Sequence, residues 1–320
     1  MTEFFNRTGH QYEDLVQHCS WKGHKCDNSS WSVDYTHYGK CYTFNKYGDH
    51  LLIKAGAGNG LHLVLFDEEH EYLETLESDD LGVKFLPHAY IEPPFLKELG
   101  FGLAPGFHYL IALKEKSMIM LPHPHGNCIL DRKTHYFNNY TVSGCRIECE
   151  TEKIFANCNC RLVESPGDHP ICIPSQFQCA LQVLEQIEKS DECVCENPCN
   201  ATQYPYTMSK LRLRESTVDK LKKEHPVPPE LNRDNIIVLN LYFDTLSYEY
   251  IKQVPAYSFS SILSDFGGNM GLWLGASALA AFQLIDYLAV ACYMRCCQCA
   301  RKVKPTDNKV MAWETDKEKY

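Results

Sequence analysis

Positive charge is in short supply in this 320-residue sequence. Lys and Arg number 31 against 41 Asp and Glu, a formal net charge of −10. That balance argues against a nucleic acid partner and favours cations and protons as ligands. No nucleophile–base pair, nucleotide loop or metal spacing stands out, so an enzyme is not expected. Internal repeats and low-complexity runs are also missing. Bulk hydropathy is too low for a chain that crosses a membrane many times. The opening stretch Met1–Leu15 has no basic n-region and no apolar h-region, so it is not a signal peptide.

Cysteine, by contrast, is abundant. There are 17, thirteen of them between Cys19 and Cys199 and four at Cys292, Cys296, Cys297 and Cys299. Such density in a long polar region points to an oxidising compartment. Sequons at Asn6, Asn28, Asn139 and Asn200 agree with it, each weak alone. At 44% hydrophobic and 22% charged residues the chain has apolar mass for a real core.

One run is long and apolar, Phe266 to Met294, with Asp286 as its only formal charge. It exceeds the roughly 20 residues that cross a hydrocarbon core of about 30 Å. Arg295, Arg301, Lys302 and Lys304 follow, which puts that end in the cytoplasm and the cysteines and sequons outside. With no export signal ahead of it, an earlier membrane helix is expected upstream of Met1. Gly267, Gly268, Gly271, Gly275 and the small residues Ala276 to Ala281 let helices approach closely, as at a helix-dimer face. Asn269, Ser277, Gln283 and Asp286 are polar at membrane depth and favour a pore instead.

Ahead of the run, His10–His18 predicts a helix, and the apolar stretches 61–66 and 235–243 predict buried strands, with another strand pattern ending at Leu121. The acidic stretch Glu68–Asp80 reads as a mobile excursion, and Ala180–Glu188 as a helix. Strands flanking a cysteine-bound helical insert predict an α+β domain. The divisions are 1–127, a disulfide-rich part 128–199, strands in 200–263, a pore helix 264–294 and a tail 295–320. Cys145 and Cys149 are one helical turn apart, and Cys193 and Cys195 share one side of a strand, so two bridges can ladder helix to strand. Cys158 and Cys160 are candidates to pair with Cys172 and Cys179. A zinc site with His123, His125 or His169 is the rival, disfavoured by the oxidising compartment.

Gly144-Cys145-Arg146-Ile147-Glu148-Cys149-Glu150-Thr151, Cys158-Asn159-Cys160-Arg161 and Cys193-Val194-Cys195-Glu196-Asn197-Pro198-Cys199-Asn200 closely resemble the degenerin/epithelial sodium channel family, nearest its acid-sensing ion channel branch. Tyr38-Gly39-Lys40-Cys41-Tyr42-Thr43-Phe44-Asn45, Gly58-Asn59-Gly60-Leu61, Glu92-Pro93-Pro94-Phe95 and Asp265-Phe266-Gly267-Gly268-Asn269-Met270-Gly271-Leu272 extend the resemblance to about Tyr293. The resemblance implies a palm and β-ball of β-sheet with a helical thumb and finger, followed by one transmembrane α-helix. It also implies the pairs Cys19–Cys26, Cys128–Cys199, Cys145–Cys195, Cys149–Cys193, Cys158–Cys179 and Cys160–Cys172, and a partner for Cys41 near a first membrane helix.

Function follows from the same resemblance. It implies a subunit of a homo- or heterotrimeric plasma-membrane channel that passes sodium, is blocked by amiloride and is gated from outside by protons or small peptides. The alternative is a non-conducting, single-pass, cysteine-rich receptor or regulatory subunit. Gly275, Ala276 and Ser277 look like the selectivity filter, with Ser264, Asp265, Gly268, Gly271 and Asp286 along the pore and gate. From composition alone Asp265 also reads as a helix N-cap. Proton-sensing candidates are Glu77, Asp79, Asp80, Glu185, Asp244 and Glu249, while two further family pocket positions are His62 and Asn240. Lys54, Arg146 and Glu150 match a chloride site, though Arg146 and Glu150 also suit a helical ion pair. Asn28, Asn139 and Asn200 are the glycosylation candidates. No cofactor or metal is implied beyond permeant sodium and bound chloride.

Overall fold

The computed structural model describes residues 2–72, 80–190, 192–224, 227–275 and 277–301. It divides into two compact units, Met1–Val254 and Pro255–Tyr320. The first holds thirteen strands among its described residues. They are β1 (Val16–Trp21), β2 (His24–Lys25), β3 (Trp31–Thr36), β4 (Gly39–Phe44), β5 (Leu61–Phe66), β6 (Val83–Phe85), β7 (Phe101–Leu103), β8 (Phe107–Leu113), β9 (Lys116–Ile119), β10 (Asn200–Gln203), β11 (Tyr206–Arg212), β12 (Ile236–Phe243) and β13 (Glu249–Lys252). Its helices are α1 (Thr2–Thr8), α2 (Tyr12–Leu15), α3 (Leu96–Leu99), α4 (Val142–Cys158), α5 (Pro174–Lys189) and α6 (Glu215–Glu224).

The main sheet runs β11-β8-β12-β5-β1-β2, with β8 and β12 parallel and the other pairs antiparallel. Its centre explains why β5 and β12 read as unbroken apolar runs. Leu61, Leu63, Leu65, Ile237 and Leu239 face one core with Tyr109, Ile111 and Leu113. Val64, Phe66 and Val238 face a second core with Leu213, Val218 of α6 and Leu231. A strand covered on both faces loses polar alternation. Gly60 leads into β5 because the backbone of β12 passes close. A Cβ there would lie 2.0 Å from the Leu241 carbonyl oxygen. A second sheet runs β10-β9-β13, and β3–β4 and β6–β7 form two-stranded pairs.

The cysteine-rich insert is built on α4 and α5, packed through Ile154, Cys158, Ala180, Val183 and Ile187. Thr141 caps α4, its Oγ1 accepting from the Gly144 N–H at 3.0 Å. Asn159 ends it in the left-handed region at φ 56°, a conformation Asn tolerates better than most. Disulfides join Cys19–Cys26, Cys128–Cys199, Cys145–Cys195, Cys149–Cys193, Cys158–Cys179 and Cys160–Cys172, the six pairs implied by the resemblance. Cys41 is unpaired and half-buried, its sulfur 3.2 Å from Thr36 Oγ1.

Local pattern and structure part company in several places. The helix expected over His10–His18 is only the four residues of α2, because Val16–Trp21 pairs with β5 instead. The strand expected at Cys193–Cys195 is an irregular segment tied to α4 by its two disulfides. Within the acidic stretch, Glu69–Glu71 forms a 3-10 turn, while 73–79 lie outside the described residues. The single helix expected over 264–294 is two, α7 (Phe259–Leu274) and α8 (Ala278–Arg301). The chain breaks there because Gly275 adopts φ 63°, a left-handed conformation that ends a helix.

Candidate functional site

The break in the second unit begins with how α7 is started. Ser258 Oγ accepts from the Ser261 N–H at 3.2 Å, so Ser258 is the N-cap and Asp265 sits inside the helix. Ser264, Gly268 and Gly271 fall four and three residues apart, along one side of α7, and Gly275 continues the series into the break. Leu263, Phe266, Met270 and Trp273 lie on the opposite side. Positions Gly267 and Gly268 are open, with nothing within 4 Å of an added Cβ. After the break, Ser277 Oγ accepts from the Ala280 N–H at 3.2 Å and restarts the chain as α8, which carries Asp286. Ala276 lies outside the described residues. Two helix ends therefore meet at Gly275–Ser277, and such ends leave backbone carbonyls and N–H groups without intrahelical partners. The apolar window long enough for a membrane is Leu279–Cys296, in α8.

In the first unit, the strands bring together polar residues far apart in sequence. Asn240 and His62 are register partners on β12 and β5, His108 pairs with Val238, and His18 with Val64. All four therefore share the sheet face that packs under α6. The His18 and His62 rings are 5.6 Å apart, edge to face. His108 Nε2 and Asn240 Oδ1 are buried without a hydrogen-bond partner, which is costly unless water or a proton change compensates. Burial first, then the charges of His18 and His108, lower the pKa of His62 from 6.5. A neutral His62 thus favours the fold above the ordinary histidine value. That stability is lost as pH falls through the lowered value, because the unfolded chain binds the proton more readily. In His62→Gln, the fall in thermal midpoint between about pH 7.5 and about pH 5 is expected to shrink, measured on the detergent-solubilised chain. An unchanged pH profile would remove His62 from the acid response.

The carboxylates singled out from the sequence are not gathered into one group. Glu77 and Asp79 lie outside the described residues, and Asp80 is exposed. Glu185 pairs with Lys189 at 2.5 Å, and Asp244 with Lys114 at 3.6 Å. Glu249 sits opposite Lys116 in the β13–β9 register. Each of these three lies beside a lysine rather than another carboxylate. Of the chloride set, Arg146 and Glu150 are adjacent on α4 at 3.8 Å, with the Arg146 guanidinium over the Phe95 ring. Burial raises the Glu150 pKa, opposed by Arg146 and Lys97. Lys54 is exposed in the loop between β4 and β5, and no described contact joins it to Arg146 or Glu150. Asn139 and Asn200 are exposed, as is Asn6.

One buried acidic centre was not singled out from the sequence. Asp67 is 3% exposed and accepts a hydrogen bond from the Tyr72 hydroxyl. Tyr72 also donates to the Gly82 carbonyl at 3.3 Å, and His10 Nδ1 lies 2.6 Å from Glu68. Burial raises the pKa of Asp67, and burial and then Asp67 raise that of Tyr72. The only local signal was an acidic residue ending an apolar strand, which reads as the start of a loop.

A family model described as amiloride-sensitive sodium channel matches residues 1–287. Acid-sensing ion channel 1B of Danio rerio is 41% identical over 322 residues, covering 96% of this chain and 58% of that relative. Acid-sensing ion channel 2 of Homo sapiens is 41% identical over 302 residues, covering 90% and 59%. Acid-sensing ion channel 1 of Gallus gallus is 39% identical over 312 residues, covering 93% and 59%. The chain thus spans under two thirds of the length of these relatives, which are ion channels rather than enzymes.

Proposed function

The chain belongs to the amiloride-sensitive sodium channel family, and we propose that it is a subunit of a trimeric, sodium-selective, amiloride-sensitive cation channel gated from outside the cell. The observation that carries this reading is the break between α7 and α8 at Gly275 and Ser277. Around a threefold axis, the small side of α7 would face the pore and its Leu263–Phe266–Trp273 side the lipid. Carbonyls released at the break and the Ser277 hydroxyl would replace part of the hydration shell of a sodium ion. Ser264, four residues before Gly268, is the proposed gate, where a small side chain lets three helices close tightly. Asp265 and Asp286 add negative charge along the path and favour cations.

In this reading α8 crosses the plasma membrane, with Arg295 and the tail in the cytoplasm and the disulfide-bonded unit outside. Protons are the stimulus best supported, through the His18–His62–His108 face in place of a paired-carboxylate pocket; peptides remain the other ligand class. Chloride would be held by the set Arg146, Glu150 and Lys54, which requires Lys54 to come from another subunit, and glycans by Asn28, Asn139 and Asn200.

The test is to express the full chain alone and together with a complete acid-sensing ion channel, and to record currents on acidification. A sodium current blocked by amiloride is expected. A thiol reagent applied to Ser264→Cys should then hold the channel open. A chain that yields no current alone, and neither alters the currents of the complete channel nor co-purifies with it, overturns the proposal.

A further inference from the structure

One tyrosine proton faces two acceptors just after β5. The Tyr72 hydroxyl is within hydrogen-bond reach of Asp67 Oδ1 and, at 3.3 Å, of the Gly82 carbonyl. A phenol carries a single proton, so with Asp67 ionised it serves one acceptor and leaves the other without it. Asp67 is 3% exposed, and its second oxygen, Oδ2, has no hydrogen-bond partner among the described residues. A buried carboxylate with an unmatched oxygen is costly, whereas the neutral acid carries no charge and gains a proton to donate. The surroundings hold both residues in place. The Asp67 N–H donates to the Asn235 carbonyl at 2.8 Å, just ahead of β12. The His10 ring stands edge-on to the Tyr72 ring at 5.9 Å, and the His10 carbonyl accepts from the Tyr42 hydroxyl at 2.7 Å. Gly82 leads into β6, which pairs with β7 from Val83 onward.

We infer that Asp67 is a neutral carboxylic acid in this fold, and that its proton closes a clasp between the end of β5 and the start of β6. The Asp67 O–H donates to the Tyr72 oxygen, and the Tyr72 O–H is then free to donate to the Gly82 carbonyl. When Asp67 gives up its proton to solvent, the Tyr72 hydroxyl turns to the carboxylate and releases Gly82. The groups facing Asp67 are His10, Glu68, Glu69 and Tyr72. Burial raises the Asp67 pKa, the Tyr72 hydrogen bond and His10 oppose the rise, and Glu69 and Glu68 add to it. With the folded value above the unfolded one, the stability that the proton brings is complete below the ordinary aspartate value. It is lost as pH rises through the raised value. The sign is opposite to that of His62, so acid fastens this corner while it loosens the histidine face. The clasp lies wholly within the first unit and holds whether or not the chain is a channel.

The test is hydrogen exchange read by mass spectrometry on the detergent-solubilised full chain. Protection of peptides covering residues 82–86, corrected for the intrinsic pH dependence of exchange, is compared at about pH 8 and about pH 4.5. It is expected to rise about fivefold in acid, the worth of one hydrogen bond. Asp67→Asn, whose amide offers a hydrogen at every pH, should show the acid level at both. Tyr72→Phe should show the alkaline level at both. Equal protection of the unaltered chain at the two pH values, or a pH dependence that persists in Asp67→Asn, overturns the clasp. An infrared difference spectrum between the same pH values needs no change at Asp67. It should contain the carbonyl stretch of a neutral carboxyl that moves in Tyr72→Phe, where its hydrogen bond is gone. A spectrum that Tyr72→Phe leaves unaltered overturns the clasp even if Asp67→Asn does not fold.

Discussion

Replacing Cys128 and Cys199 together by Ala is expected to be the most damaging of the disulfide deletions. This bridge closes 71 residues, the longest loop of the six, and both sulfurs are buried. On the chain-entropy account, opening it frees the unfolded state by about 4 kcal/mol, against about 2 kcal/mol for a seven-residue loop such as Cys19–Cys26. The comparison matters because the bridge stands at the neck of the insert carrying α4 and α5. The Ile129 N–H donates to the Asn197 carbonyl at 3.0 Å and the Cys199 N–H to the Ile129 carbonyl at 2.9 Å. Without the bridge, the neck is left to these hydrogen bonds, the Met120 N–H to the Cys199 carbonyl at 2.7 Å and the β10–β9 pairing. Urea midpoints of the solubilised chain, and its surface yield in cells, should both fall further for this pair than for Cys19→Ala/Cys26→Ala. Equal losses would show that loop length is not what matters at the neck.

Gly275→Val is expected to abolish sodium-selective current while leaving the first unit folded. At φ 63° the residue stands where an L side chain pays about 1–2 kcal/mol, and a β-branched one more. The cheapest escape is to extend α7 through the break, which would draw the released carbonyls back into helical hydrogen bonds and displace Ser277 from its cap on Ala280. The readout is the reversal potential in sodium against potassium, with surface labelling to show that the protein is present. Gly275→Ala should be milder, since it lacks the branch. Unaltered selectivity in the valine variant would remove Gly275 from the filter.

Much of the architecture could be read along the chain. The runs at 61–66 and 236–243 are strands because no polar residue interrupts them for long, and α5 covers the expected Ala180–Glu188 and extends it in both directions. The cysteine motifs and the Gly275-Ala276-Ser277 stretch pointed to the family before any contact was known, because their spacing is local. Local pattern failed where tertiary pairing overrode it. Val16–Trp21 is β-structure because β5 offers it a ladder, and Cys193–Cys195 is irregular because two disulfides, rather than strand partners, hold it.

What the sequence determined by itself is thus the cysteine motifs, the two central strands and the membrane run, since each depends on residues near one another, whereas the break of that run at Gly275 emerged only in the structure, the sequence having predicted one helix over 264–294. Only the tertiary structure decided the rest. His18, His62, His108 and Asn240 are as far apart as β1 and β12, and no periodicity links them; they meet because four neighbouring strands stand in one register. Asp67, between the apolar strand pattern 61–66 and the acidic stretch Glu68–Asp80, is a buried acid because Tyr72 turns back to cover it. Burial and cross-strand register belong to the assembled sheet, so the electrostatics of these groups could be read only there.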